Sequence, residues 1–155
     1  MISLSGPYDT QFASLLAESY RRLTKRSILA DMPPEAADAA QWLYEKAPFG
    51  LLAHNTAEDP RFVYANKTAQ AFFEYDWDEF VGMPSRLSAP PAKRSTRAKL
   101  MKDVLRQGYS DEYRGIREAK TGRRFWIEDA TVWNLVDGDG KIHGQAALIG
   151  SISPA

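Results

Sequence analysis

The chain has 155 residues, 44% hydrophobic and 26% charged, with twenty basic side chains cancelled by twenty acidic ones and no cysteine. This length makes one domain that buries roughly 68–70% of its unfolded surface, and zero net charge with no contiguous block of either sign sets aside nucleic acid, which asks for a basic face. The missing thiol excludes disulfides, iron–sulfur clusters, thiolate zinc and cysteine nucleophiles; with no stretch near the roughly 20 apolar residues of a membrane span and no signal-peptide pattern, the chain reads as cytoplasmic.

Tyr8, Phe12, Leu15, Leu16, Tyr20 and Leu23 recur at helical spacing, which predicts an amphipathic helix over residues 8–27. Its cations Arg21, Arg22, Lys25 and Arg26 decorate the solvent side. The segment "DMPP" breaks the helix, and Pro34 fits the first turn of a second one over "EAADAAQWLYEKA". "FGLLAHN" and "RFVYA" then read as two strands of a hairpin. Asn66 is a favoured N-cap for a helix to Tyr75, with Ala69, Phe72 and Phe73 inside. Asp76 and Glu79 form a capping-box pair for a short helix that Gly82 and Pro84 stop.

After the loop "SRLSAPPAK", residues 94–107 read as a helix with Leu100, Met101 and Val104 inward, ended by Gly108. Three strands follow, at about Tyr109–Glu118, Arg124–Leu135 and Lys141–Ile152, joined by the turn signals "KTGR" and "DGDG". The layout is α+β. Along "RFWIEDATVWNL" one alternating set is Phe125, Ile127, Asp129, Thr131, Trp133 and Leu135; the other is Trp126, Glu128, Ala130, Val132 and Asn134. Both sets carry large apolar residues, so both sheet faces should be covered, one by the mid-chain helices and the other by the lead-in helix or a partner chain.

The order of these elements, with "YAN" closing a hairpin and "FEYDWDEFVGMPS" after it, resembles the PAS sensor fold. The pattern falls on Tyr64, Asn66, Tyr75, Asp78, Glu79, Val81 and Gly82. "FVYANKTAQAFFEYDWDEFVGMPSRLSA" and "YRGIREAKTGRRFWIEDATVWNLVDGDGKIHGQAAL" are more specifically similar to the MEKHLA group, a PAS-like domain of certain plant regulators and of stand-alone bacterial proteins. The hexapeptide that names the group is absent here. The resemblance implies a five-stranded antiparallel sheet with helices on one face, residues 1–39 forming an N-terminal helical lead-in and residues 40–155 the PAS-like domain. It also implies a sensory or dimerisation module rather than an enzyme.

Chemical candidates are few. Flavin photosensors of this fold form an adduct through a cysteine, which this sequence lacks. Haem-binding members place a histidine on the long helix before the third strand, and residues 92–108 hold none. His54 and His143, the two histidines, read as ordinary polar residues, and two histidines without a carboxylate cluster make no zinc site. "DGDGK" lacks the spacing and distal glutamate of a calcium loop, and Asn66-Lys67-Thr68 matches a glycosylation sequon only by coincidence.

Glu128 and Asp129 stand mid-strand, where acids are disfavoured, and neighbours on a strand point to opposite faces. One of them should therefore face a pocket, as a ligand acceptor or as a general base; the alternative is an ion pair with Arg117, Arg123 or Arg124. Asn66, Tyr75, Tyr113, Glu128, Asp129, Thr131 and Trp133 are thus the candidate ligand-binding residues, although the aromatics serve equally as core. The reading is a sensory module that binds a small molecule, forms a homodimer through the lead-in helix and sheet face, and passes its output to a separate effector. No cofactor is specified. The competing reading is a small α+β isomerase or hydratase with Glu128 or Asp129 as its base.

Overall fold

The computed structural model describes residues 4–91 and 94–155, with the backbone alone from 94 to 98. The end of the expected loop, residues 92–93, lies outside the described residues. Helix α1 (Thr10–Thr24) begins where the Asp9 carboxylate accepts the Phe12 amide at 2.8 Å and ends where Lys25 turns left-handed. Helix α2 (Ala39–Glu45) is shorter than expected. Asp38 accepts from Ala40 and Gln41 and starts the helix four residues past Pro34, because a carboxylate cap satisfies orphan donors that proline cannot. Then come β1 (Gly50–His54), β2 (Phe62–Ala65), α3 (Lys67–Phe73) and α4 (Trp77–Phe80), the last with its reciprocal Asp76–Glu79 capping box. A single 3-10 turn at Ser85–Ser88 precedes α5 (Arg94–Gln107).

Strands β3 (Tyr109–Glu118), β4 (Arg124–Val136) and β5 (Ile142–Ile149) complete an antiparallel sheet of order β2-β1-β5-β4-β3. The expected five strands and their helices are present. The last one differs: it is interrupted at Gly150, and β6 (Ser151–Pro154) continues along the first half of β4.

That break belongs to a kink shared by the neighbouring strands. Across β3 and β4, Tyr113 faces Ala130 and Gly115 faces Ile127, so Arg114 alone opposes Glu128 and Asp129. This is a β-bulge, and Asp129 sits in it with φ +49°. A second irregularity on β3 leaves Glu112 at φ +54°. The bulge answers the question of which set on β4 faces inward: neither does throughout. Phe125, Ile127, Ala130 and Val132 share one face, whereas Thr131, Trp133 and Leu135 share the other. An inserted residue in a period-2 strand swaps every side chain beyond it.

Two cores result, one on each face. The first joins Leu52, Phe62, Phe73, Phe80, Phe125 and Ile149 under α3 and α4. The second joins Leu51, Ala53, Trp133 and Leu135 to Phe12, Leu16 and Tyr20 of α1 and to Trp42, Leu43 and Tyr44 of α2. The lead-in helix thus covers the second sheet face of its own chain. Trp133, fully buried, donates its indole N–H to Ser19 Oγ on α1 at 3.0 Å, and its ring meets Tyr20 edge-on at 4.9 Å. Among the described residues, no helix is long and apolar enough to cross a membrane.

Candidate functional site: a roofed cavity against the sheet

Between the first sheet face and a roof formed by residues 85–91 and Leu100 lies a cavity of about 480 Å³. This falls inside the roughly 300–1,000 Å³ range of small-molecule sites. Its floor is Leu52, Ile127, Val132, Ala147 and Ile149; its roof is the 3-10 turn with Ala89, Pro90, Pro91 and Leu100. Space remains because several floor residues are small, and because Tyr113 lies down along β3. A Cβ at Gly115 would come within 2.6 Å of the Tyr113 hydroxyl, so only glycine lets the ring rest there. A shallower depression on the solvent face of α1 is lined by charged side chains alone, Glu18, Arg21, Arg22 and Lys25.

The polar groups on the cavity wall are few. His54 Nδ1 is paired with the Asn55 carbonyl at 2.9 Å, and Arg86 bonds Asp59 at 3.2 Å. Gln145 reaches Asn134 at 3.4 Å. Arg117 donates to the carbonyl of its neighbour Ile116 at 2.8 Å and lies 5.6 Å from the Tyr113 ring. No metal-holding cluster of His, Cys, Asp or Glu occurs among the described residues.

Of the seven candidate residues, Tyr113 alone lines the cavity. Asn66 is fully buried and serves as a junction. Its Oδ1 accepts from Leu51 N at 3.0 Å and Ala69 N at 2.9 Å, and its Nδ2 donates to Leu43 O at 2.9 Å and Phe49 O at 3.0 Å. It therefore caps α3 and also ties α2 to β1, and its amide is out of reach as a sequon. Tyr75 packs on Phe80 at 5.5 Å. Thr131 bonds Asp111 at 2.8 Å, on the same side of β4 as Trp133.

The two acids are also elsewhere. Asp129 is exposed at the bulge. Glu128 lies on the side opposite Ile127 and pairs with Arg114 at 2.6 Å and Ser153 at 2.6 Å. The Ser153 hydroxyl and the Arg114 guanidinium hold its carboxyl below the usual glutamate range. The expected partners are corrected: Arg117 is on the cavity side, Arg123 pairs with Glu74 and Arg124 with Glu118. Arg114 takes the role because the bulge sets it opposite Glu128 and Asp129, and its guanidinium also stacks 3.9 Å above Trp126. A base at either acid would face away from the cavity. Met101, expected inward on α5, is instead 57% exposed.

Sequence reasoning missed His54, Arg86, Arg117 and Gln145 as wall residues. The available signal was the β3 alternation Tyr113, Gly115, Arg117, in which a glycine between two long side chains marks a close approach.

Comparison with solved structures returns the same architecture. The PAS domain of a protein from Colwellia psychrerythraea superposes with a TM-score of 0.60 at 14% identity, over 70% of this chain and 89% of that one. The dark structure of the blue-light photoreceptor Aureochrome1 LOV gives 0.56 at 18% identity, over 67% and 75%. The LOV domain of the Erythrobacter litoralis EL346 blue-light activated histidine kinase gives 0.54 at 19%, over 65% and 93%. No curated protein matches by sequence. The family model of the MEKHLA domain matches residues 10–153, from the first residue of α1 to the last strand. The chain belongs to the MEKHLA domain family and has the PAS fold.

Proposed function

We propose that this chain is a sensory module which holds a small molecule in the cavity between the sheet and residues 85–91 and reports its presence without transforming it. The observation that carries the reading is the cavity itself, apolar in its floor and of ligand size. Among the described residues no acid lines it, and Glu128 is paired on the far side of β4, which fits binding better than proton transfer. The output goes to a separate effector or a second copy of the chain. Helix α1 is the element placed to carry it, since it is docked on the sheet face behind the cavity.

Two measurements test this. Native mass spectrometry of freshly purified protein should show excess mass that is lost on denaturation. The neutral dye N-phenyl-1-naphthylamine should bind and brighten, and Ala147→Phe, which puts a ring into the cavity, should abolish that binding while the fold is retained by circular dichroism. Bare protein mass together with no dye binding would sink the proposal. Equal dye binding in Ala147→Phe would place the dye outside the cavity and count equally against it.

A further inference from the structure

The charged side chains that line this cavity have one sign. Its wall carries Arg86, Arg117 and His54 and, among the described residues, no carboxylate. The roof belongs to a stretch that is one-signed in sequence as well. From Phe80 to Lys102 stand Arg86, Lys93, Arg94, Arg97, Lys99 and Lys102, and not one Asp or Glu, in a chain whose charges otherwise cancel. Because these cations are interspersed with small and apolar residues, they form no contiguous block.

Some of that charge is already answered. Arg86 faces Asp59, and Lys99 faces Asp103 at 3.0 Å. Arg117 is not. It is half-buried on the wall; among the described residues its side chain hydrogen-bonds only to a neighbouring backbone carbonyl, and no carboxylate pairs with it. Beside it stands Tyr113, whose hydroxyl has no hydrogen-bond partner among the described residues. A guanidinium fork next to a phenol, at the edge of an apolar floor, matches a planar anion. Leaving such a cation half-desolvated without a counter-charge costs free energy that an anionic ligand would recover. The cations on the wall favour the entry of an anion.

We propose that the ligand is a small organic carboxylate with an apolar or aromatic body, its carboxylate held by Arg117 and Tyr113 and its body lying on Leu52, Ile127, Val132 and Ala147. This rests on the sensory reading above, and its test keeps the two separable. N-phenyl-1-naphthylamine, which is neutral, reports whether the cavity binds anything. Displacement of the dye is then compared for 2-naphthoate and for its neutral isostere 2-naphthamide. A charge-assisted contact predicts that naphthoate displaces at about tenfold lower concentration or better.

In Arg117→Gln that advantage should collapse toward parity while dye affinity persists. Arg117→Lys, which keeps the charge without the fork, should retain part of it. Equal potency of the two competitors on the native protein, or an advantage that survives Arg117→Gln, overturns the carboxylate assignment and leaves the cavity reading standing. Failure of the dye to bind a native protein that is also at its bare mass removes both.

Discussion

Replacing Asn66 with aspartate separates a helix cap from a structural junction. As an N-cap alone, Asn66 should tolerate the change, because Asn and Asp cap about equally well. The structure predicts otherwise. Aspartate keeps the acceptor that serves Leu51 N and Ala69 N, but it loses both donors, and the carbonyls of Leu43 and Phe49 are left unpaired. Each orphaned buried group costs about 1–3 kcal/mol, so the two together cost about 2–6 kcal/mol. A carboxylate oxygen would also stand where the amide nitrogen lies 2.9–3.0 Å from those carbonyl oxygens, which pushes the figure toward the upper half.

Against a total stability of about 5–15 kcal/mol this is a large fraction. A loss of about 4 kcal/mol lowers Tm by about 8–16 °C in a chain of this size. Urea denaturation followed by circular dichroism, with a check that the slope is unchanged, measures it directly. Asp38→Asn is the control: among the described residues the Asp38 side chain takes two amide donors and nothing else, so that variant should stay within about 1 kcal/mol of native. If Asn66→Asp also lies within about 1 kcal/mol of native, the residue is only a cap and the junction argument fails.

Ser19→Ala strands the buried indole N–H of Trp133 and should cost about 1–3 kcal/mol in the same urea experiment, with a change in tryptophan fluorescence; an unchanged midpoint would mean that α1 is not docked through this bond. Gly115→Ala forces Tyr113 off β3, since the new methyl would meet the phenol at 2.6–2.9 Å. It should cost about 1–3 kcal/mol and weaken N-phenyl-1-naphthylamine binding, and undiminished dye affinity would contradict the place given to Tyr113 on the wall. Asp137 is depressed to about 2 by its bond to His143 and by the amides of Lys141 and Asp139. A carboxyl lowered in the folded state stabilises above its unfolded value and loses that contribution as protons bind. The native protein should therefore lose stability relative to Asp137→Asn as pH falls from about 4 to about 2, and parallel pH profiles for the two would refute the assignment.

The elements were largely legible because their signals are local. Asn66 and Asp76 each accept the amide that an N-cap should, and the glycine of the "KTGR" turn, Gly122, takes the positive φ of +88° that the hairpin needs. Two-sided burial was legible as well, since both alternating sets of β4 carry large apolar residues. The bulge was not. Asp129 adopts φ +49° because β3, β4 and the β5–β6 break share one kink, with the Asp129 carbonyl close under Gly150. That is a fact about strand pairing, and a single strand read by period two carries no trace of it. Every side-chain direction assigned beyond residue 128 on that basis inherited the error, and Thr131 and Trp133 were credited to a cavity that lies on the other face.

The site was harder to read than the fold for a related reason: it is made of what is missing. Sequence reasoning looks for conspicuous chemistry, and in this chain the conspicuous groups are consumed by structure. Asn66 is spent on four hydrogen bonds, Glu128 on Arg114 and Ser153, and Trp133 on Ser19 and Tyr20. The cavity exists where side chains are small or folded aside, at Ala147, at Ala89 and over Gly115. Its charged wall groups, Arg86 and Arg117, come from separate segments, so no local run of charge announces them. Pairing candidates by residue type favours groups that already have partners. In a folded protein the group still able to act on a ligand is the one whose partner is lacking, and on this wall that group is Arg117.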